Sequence, residues 1–150
     1  MNSKPILLVE DQPDDQFLTL RTLKKLKITN VTVAHEGEEA LRYLQQGASS
    51  TTVPSNLPSL ILLDLKMPRV DGFEFLEALR ADERIRDIPV VVLSSSPQEK
   101  DHTRCFQLGV KAYLHKPLEV SAIDQVLQKI DISFPVSSSS REAVMHRTAS

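Results

Sequence analysis

Five short apolar runs alternate along the chain with longer stretches in which apolar residues recur at helical spacing, and no other feature constrains the fold as much. Three of the runs contain no polar residue, which is typical of strands buried on both faces of a sheet. The repeated strand–helix order predicts a parallel sheet with right-handed crossovers and helices on both faces. The predicted strands are 6–9, 31–34, 60–63, 90–93 and 112–114, and the predicted helices are 14–26, 36–46, 73–80, 98–108 and 119–130.

The chain length suits one α/β domain, and five strands favour a flavodoxin-like, doubly wound parallel sheet of order 2-1-3-4-5 with five helices. We assign residues 1–132 to this domain. Residues 133–150 include four consecutive serines and are predicted to form a flexible tail, so no output domain is expected there. Residues 47–59 are polar, contain two prolines and are predicted to form a long surface loop.

Charge and composition exclude several classes of protein. The net charge of −2 provides no general attraction to nucleic acid or to an anionic membrane. No apolar run approaches the roughly 18 residues that a membrane-spanning helix needs, and the N-terminus lacks the apolar core of a signal peptide. The single cysteine, Cys105, cannot form an internal disulfide and fits a reducing compartment. We therefore expect a cytoplasmic protein without nucleic-acid or membrane partners.

Acidic residues follow two of the predicted strands. Glu10 and Asp11 come after the first strand, and Asp64 comes after the third. In sheets of this order, ligands bind beyond the carboxyl ends of the strands. Three carboxylates in one cleft repel one another unless a cation lies among them, and oxygen ligands of this kind suit Mg²⁺. Each acid alone is equally compatible with a helix cap or a solvated surface, so the hypothesis of a metal site depends on their convergence.

A hydroxyl group and an ammonium group follow the fourth and fifth strands. Ser94 could hydrogen-bond a phosphoryl oxygen, although serines at this point also suit helix caps. Lys116 would balance the acidic cluster and contact an incoming phosphoryl group, whereas a lone lysine is usually solvated. Pro117 follows directly, and a cis peptide bond there would direct Lys116 inward.

Four segments carry these residues in order: ILLVEDQPDD, LILLDLKMPRVDG, IPVVVLSSS and KAYLHKP, within about residues 4–130. Together they resemble the response-regulator receiver family of two-component signalling, the family of CheY. The resemblance implies that Glu10 and Asp11 hold the metal, that Asp64 is the phosphoacceptor and that Lys116 binds the phosphoryl group. Glu10 replaces the aspartate that often stands first in the acid pair. Ser94 stands where threonine is frequent, which retains the hydroxyl.

The resemblance also implies roles for residues around the acceptor. Lys66 would offer its backbone carbonyl to the metal ion, which would be Mg²⁺ or Mn²⁺. Ser94 would turn toward the phosphoryl group, and Tyr113 would then turn inward to fill the vacated space. These movements would change the surface formed by residues 98–130. The residues that would shape the neighbouring loops are Met67, Pro68, Gly72 and Pro117.

The implied function is that of a single-domain response regulator, a phosphoacceptor switch rather than an enzyme. A sensor histidine kinase would supply the phosphoryl group, and water would later hydrolyse the acyl phosphate. The DQPDD loop and the long 47–59 segment resemble the stand-alone regulators that partner bacterial phytochrome-type kinases. Output would pass to a downstream protein. The apolar residues of the 98–130 face could form a homodimer interface, or they could pack within the domain. The sequence is compatible with both.

Specific residues argue against three other functions. A phosphorylation-independent receiver-like interaction module is the main alternative, and the complete set of polar site residues argues against it. Phosphatases that form an aspartyl phosphate resemble D-x-D after their first strand, whereas here DLK follows the third. A flavin or dinucleotide binder needs a glycine-rich loop after the first strand, where this chain has the acidic sequence EDQP.

Overall fold

The computed structural model describes residues 5–49, 57–65, 72–94 and 99–130. Strands and helices alternate throughout, as the sequence predicts. The strands are β1 (Ile6–Val9), β2 (Val31–Ala34), β3 (Leu60–Asp64), β4 (Val90–Ser94) and β5 (Ala112–His115). The helices are α1 (Pro13–Lys25), α2 (Gly37–Ser49), α3 (Gly72–Ala81), α4 (Glu99–Gln107) and α5 (Val120–Ile130).

The five strands form one parallel sheet in the order β2-β1-β3-β4-β5, which confirms the predicted fold. β1 and β3 are neighbours at the centre of the sheet, with Val9 opposite Leu63. The residues that follow them must therefore emerge side by side at the same edge. This edge is the switch point at which doubly wound sheets bind their ligands.

Apolar cores cover both faces of the sheet, and every residue of β1, β3 and β4 is therefore buried. On one face the core is built around Phe75, Leu76 and Leu79 of α3 and extends to α2. On the other face Leu23 of α1 and Ile123 of α5 pack against the alternate strand residues. Burial on both faces explains why these strands contain no polar alternation.

The structure corrects the predicted loop at 47–59. Residues 47–49 continue α2, which ends at Ser49 rather than at residue 46. Ala48 packs against the core cluster, so apolar contact extends the helix although Gly47 has low helix propensity. Residues 50–56 and the predicted tail at 133–150 lie outside the described part of the chain.

Three strands extend one residue beyond their predicted ends. Asp64, Ser94 and His115 are the last residues of β3, β4 and β5, and their backbones are held in the sheet ladder. Polar side chains at these positions therefore project from rigid strand ends rather than from loops. Within the described ranges, no helix has the length and apolar character needed to cross a membrane.

Candidate functional site

Three carboxylates converge at the carboxyl edge of the sheet. Glu10 and Asp11 follow β1, and Asp64 ends the neighbouring β3. One oxygen from each of the three side chains lies within 4.8 Å of the others. Glu10 and Asp64 are buried and Asp11 is half-buried. The topology of the sheet thus brings Asp64 to the Glu10–Asp11 pair, from which it is more than fifty positions away in the sequence.

The carboxylate of Asp11 has one satisfied and one unsatisfied oxygen. Its Oδ2 accepts a hydrogen bond from Gln12 Nε2 at 3.2 Å. Its Oδ1 is buried and has no hydrogen-bond partner among the described residues. A buried oxygen of this kind is costly unless a ligand satisfies it. The donor set, which consists of hard carboxylate oxygens, fits Mg²⁺ or Mn²⁺.

Glu10 is fixed by the backbone of β1 and by the beginning of α1. Its Oε2 accepts a hydrogen bond from the backbone N–H of Gln12 at 3.2 Å. The side chain of Gln16 donates to the carbonyl of Glu10 at 2.7 Å. Burial raises the pKa of Glu10 to about 7, with a further increase from the negative charge of Asp64 and a partial decrease from Lys116.

Lys116 places one ammonium group among the acids. Its Nζ is 2.8 Å from Glu10 Oε1, 2.9 Å from Asp15 Oδ2 and 3.3 Å from Asp64 Oδ2. Burial alone would lower the pKa of Lys116, but its contacts with Glu10, Asp15 and Asp64 outweigh burial and raise it. The lysine is therefore charged, and it offsets part of the repulsion within the acidic cluster.

The backbone around Lys116 is tied to two neighbouring elements. Its N–H donates to the carbonyl of Ser94 at 2.9 Å, which joins the end of β5 to the end of β4. The following bond, Lys116–Pro117, is cis. Thr22 of α1 donates through Oγ1 to the carbonyl of Leu118 at 3.0 Å in a buried hydrogen bond. The position of the ammonium group thus depends on β4 and α1 together.

The two residues of the predicted switch lie on adjacent strands. Ser94 is buried at the end of β4, opposite His115. Tyr113 lies on β5 opposite Val92 and is half-buried. The ring of Tyr113 meets that of His115 edge to face, with 6.1 Å between the ring centroids.

Gly72, the first residue of α3, is held close to Leu65, the residue after β3. The N–H of Gly72 donates to the carbonyl of Leu65 at 2.9 Å. A side chain at Gly72 would place its Cβ 2.6 Å from Leu65 Cα, so only glycine fits. Lys66, Met67 and Pro68 lie outside the described residues, and their predicted roles stay predictions.

Asp15 is a site residue that sequence reasoning missed. It lies in the first turn of α1, where acidic residues are common because they complement the helix dipole. Because the helix dipole already explains an acid at this position, the sequence gives no reason to expect its contact with Lys116, which is 101 positions away. The available signal was the spacing from Glu10, because Pro13 begins α1 two residues after Asp11 and so keeps the first turn of the helix near the acid pair.

Comparison with known proteins identifies similar chains. The family model of the response regulator receiver domain matches residues 6–128. The response regulator Rcp1 of Synechocystis sp. is 36% identical over 129 residues, which are 85% of this chain and 86% of Rcp1. The recognition made from the four sequence segments is thereby confirmed.

Solved structures give the same result. The bacteriophytochrome response regulator AtBRR is 41% identical with a TM-score of 0.78, and the match covers 91% of this chain and 99% of that one. The phosphorylated cyanobacterial phytochrome response regulator RcpA is 35% identical with a TM-score of 0.69, covering 87% and 92%. The Mn(2+)-bound form of Rcp1 is 32% identical with a TM-score of 0.69, covering 89% and 99%.

Proposed function

Because this chain belongs to the response regulator receiver domain family, we propose that it is a switch that accepts a phosphoryl group on Asp64. The observation that carries the proposal is the cluster of Glu10, Asp11 and Asp64 with Lys116 in contact with two of them. Asp64 is the member that ends a central strand, and its backbone is therefore rigid. A rigid acceptor suits a reaction that is catalysed mainly by positioning.

A divalent cation fits the oxygen atoms of Glu10, Asp11 and Asp64, and we assign the site to Mg²⁺ or Mn²⁺. The buried Asp11 Oδ1 supports this assignment because it has no hydrogen-bond partner among the described residues. The Mn(2+)-bound structure of the relative Rcp1 supports it independently. The backbone carbonyl of Lys66 completes the proposed ligand set. The cation supplies positive charge that neutralises the transferring group.

The reaction that we assign is transfer from a kinase phosphohistidine. A carboxylate oxygen of Asp64 forms a bond to phosphorus while the bond from phosphorus to the histidine nitrogen breaks. Lys116, 3.3 Å from Asp64, stabilises the negative charge on the phosphoryl oxygens, and Ser94 donates its hydroxyl to one of them. Water later attacks the acyl phosphate, which releases inorganic phosphate and restores the carboxylate.

The new charge on Asp64 is read out through Ser94 and Tyr113. Ser94 moves toward the phosphoryl group, and the half-buried Tyr113 turns further inward. Because both lie on strands that border α4 and α5, the surface of residues 98–130 changes with them. A downstream protein or a second copy of the chain recognises that surface.

The kinase is proposed from the relatives. AtBRR and RcpA are response regulators of phytochromes, which supports a bacterial phytochrome-type sensor histidine kinase as the phosphoryl donor. We further assign the switch to residues 1–132, a tail to 133–150 and the cytoplasm as its location. The chain acts as a phosphoacceptor that assists its own phosphorylation and dephosphorylation, rather than as an enzyme with a separate substrate.

Intact-mass measurement tests the phosphoacceptor. The wild-type protein is incubated with acetyl phosphate and Mg²⁺, beside Asp64→Ala and a sample with excess chelator. The expected result is the gain of one phosphoryl group by the wild type alone. If the folded wild type gains none from acetyl phosphate or from a phosphohistidine donor, the phosphorylation-independent interaction module replaces this proposal.

A further inference from the structure

Lys116 has a third acidic partner that does not belong to the cluster of predicted metal ligands. Asp15 Oδ2 accepts a hydrogen bond from Lys116 Nζ at 2.9 Å. Asp15 lies in α1, whereas Glu10 follows β1 and Asp64 is the last residue of β3. The side chain of Asp15 is 36% exposed and that of Lys116 is 14% exposed. Asp15 is therefore the more exposed member of this ion pair.

The distances within this group favour a restraining role. Lys116 Nζ is closer to Glu10 and Asp15, at 2.8 and 2.9 Å, than to Asp64, at 3.3 Å. The two shorter contacts hold the ammonium group back from the proposed acceptor. A phosphoryl group on Asp64 would compete with Asp15 for the same ammonium, because both are anions within its reach.

We propose that Asp15 is a positioning residue that restrains Lys116 in the resting protein and so limits the rate at which Asp64 is phosphorylated. This inference rests on the proposed function of Asp64. Asp15 acts through its contact with the lysine, which it holds in the resting position. This contact opposes phosphorylation, so its removal should accelerate the reaction.

The contact with Lys116 distinguishes Asp15 from its neighbour Asp14. Pro13 begins α1, and Asp14 and Asp15 both lie in its first turn. Asp14 is exposed, whereas Asp15 is half-buried and touches Lys116. The two aspartates therefore have the same charge and nearly the same position in the helix, but only Asp15 has the described contact. Asp14 is the matched control.

The experiment compares initial rates of phosphorylation by acetyl phosphate at saturating Mg²⁺, followed by intact mass. Asp15→Asn should react about fivefold faster than the wild type, the factor that corresponds to about 1 kcal/mol, the upper end of the range for ion pairs in contact with solvent. Asp14→Asn should react at the wild-type rate within about twofold, because exposed charges are screened by salt. Asp15→Glu, which keeps the charge and can reach Lys116, should restore the wild-type rate.

A second comparison separates positioning from a structural effect. In a Lys116→Met background, Asp15→Asn should change the rate by less than about twofold, because the residue that it restrains is absent. An equal effect of Asp15→Asn in both backgrounds, or no increase beyond that of Asp14→Asn, overturns the inference. Absence of phosphorylation in the wild type itself would instead refute the proposed function of Asp64, so the two failures are distinguishable.

Discussion

The raised pKa of Glu10 predicts an unusual dependence of stability on pH. The carboxyl is buried, and its pKa is raised from 4.5 to about 7 in the folded protein. Between these two values the folded state binds more protons than the unfolded state, so the free energy of unfolding falls as pH increases. The contribution is complete below pH 4.5, is lost as pH rises through 7 and is constant above that. Moving the pKa over this range corresponds to about 3 kcal/mol.

Urea unfolding in the presence of a chelator measures this effect. Glu10→Gln keeps the size and polarity of the side chain but cannot titrate. Relative to the wild type, the stability of this variant should therefore rise by about 3 kcal/mol between pH 4.5 and pH 7.5. Groups that the two proteins share contribute alike to both profiles, so the difference between the profiles isolates Glu10. Parallel stability profiles of the two proteins would refute the reasoning, because they would mean that folding does not raise the pKa of Glu10 above its ordinary value.

Two further predictions concern the same edge of the sheet. On the proposal that Glu10 is a ligand of Mg²⁺, binding of the ion displaces the proton from this carboxyl. The apparent affinity measured by calorimetry should therefore fall up to about tenfold per pH unit below pH 7, and a pH-independent affinity down to pH 5 would contradict this. Gly72→Ala should lower the free energy of unfolding, measured in urea, by about 1–3 kcal/mol, because the new Cβ would lie 2.6 Å from Leu65 Cα. The control variant Gly47→Ala, within α2, should be neutral or stabilising. Equal effects of the two substitutions would show that Gly72 has no special constraint.

The sheet could be predicted because its signals are local and mutually consistent. Apolar runs without alternation require burial on both faces, and helices between them leave few possible topologies. The convergence of Glu10 and Asp64 followed from this order, since they lie at the carboxyl ends of β1 and β3, which are neighbours in the sheet. The boundary of α2 was predicted less well, because packing of Ala48 against the core outweighs the weak helix propensity of Gly47.

The partners of Lys116 show what sequence alone could not provide. The sequence predicted an ammonium group near the acids, but not which acids it contacts. Asp15 has an ordinary explanation as a first-turn helix residue, and only the tertiary packing of α1 brings its oxygen to 2.9 Å from Lys116, the residue after β5. The buried hydrogen bond from Thr22 to Leu118 is of the same kind, because it joins residues 96 positions apart. Such contacts are set by tertiary geometry and have no local pattern.

Arg80 holds the amino ends of β4 and β5, at the other end of these strands from the acidic cluster. This attachment limits where a switching movement can occur. Its guanidinium donates to the carbonyl of Leu108 at 2.7 Å and to that of Gly109 at 3.2 Å, and a longer contact of 3.4 Å reaches Ile88. These carbonyls precede β4 and β5, so the amino ends of both strands are tied to α3. We therefore expect a charge added at Asp64 to displace side chains at the carboxyl ends of the strands and to leave the amino ends of β4 and β5 in place.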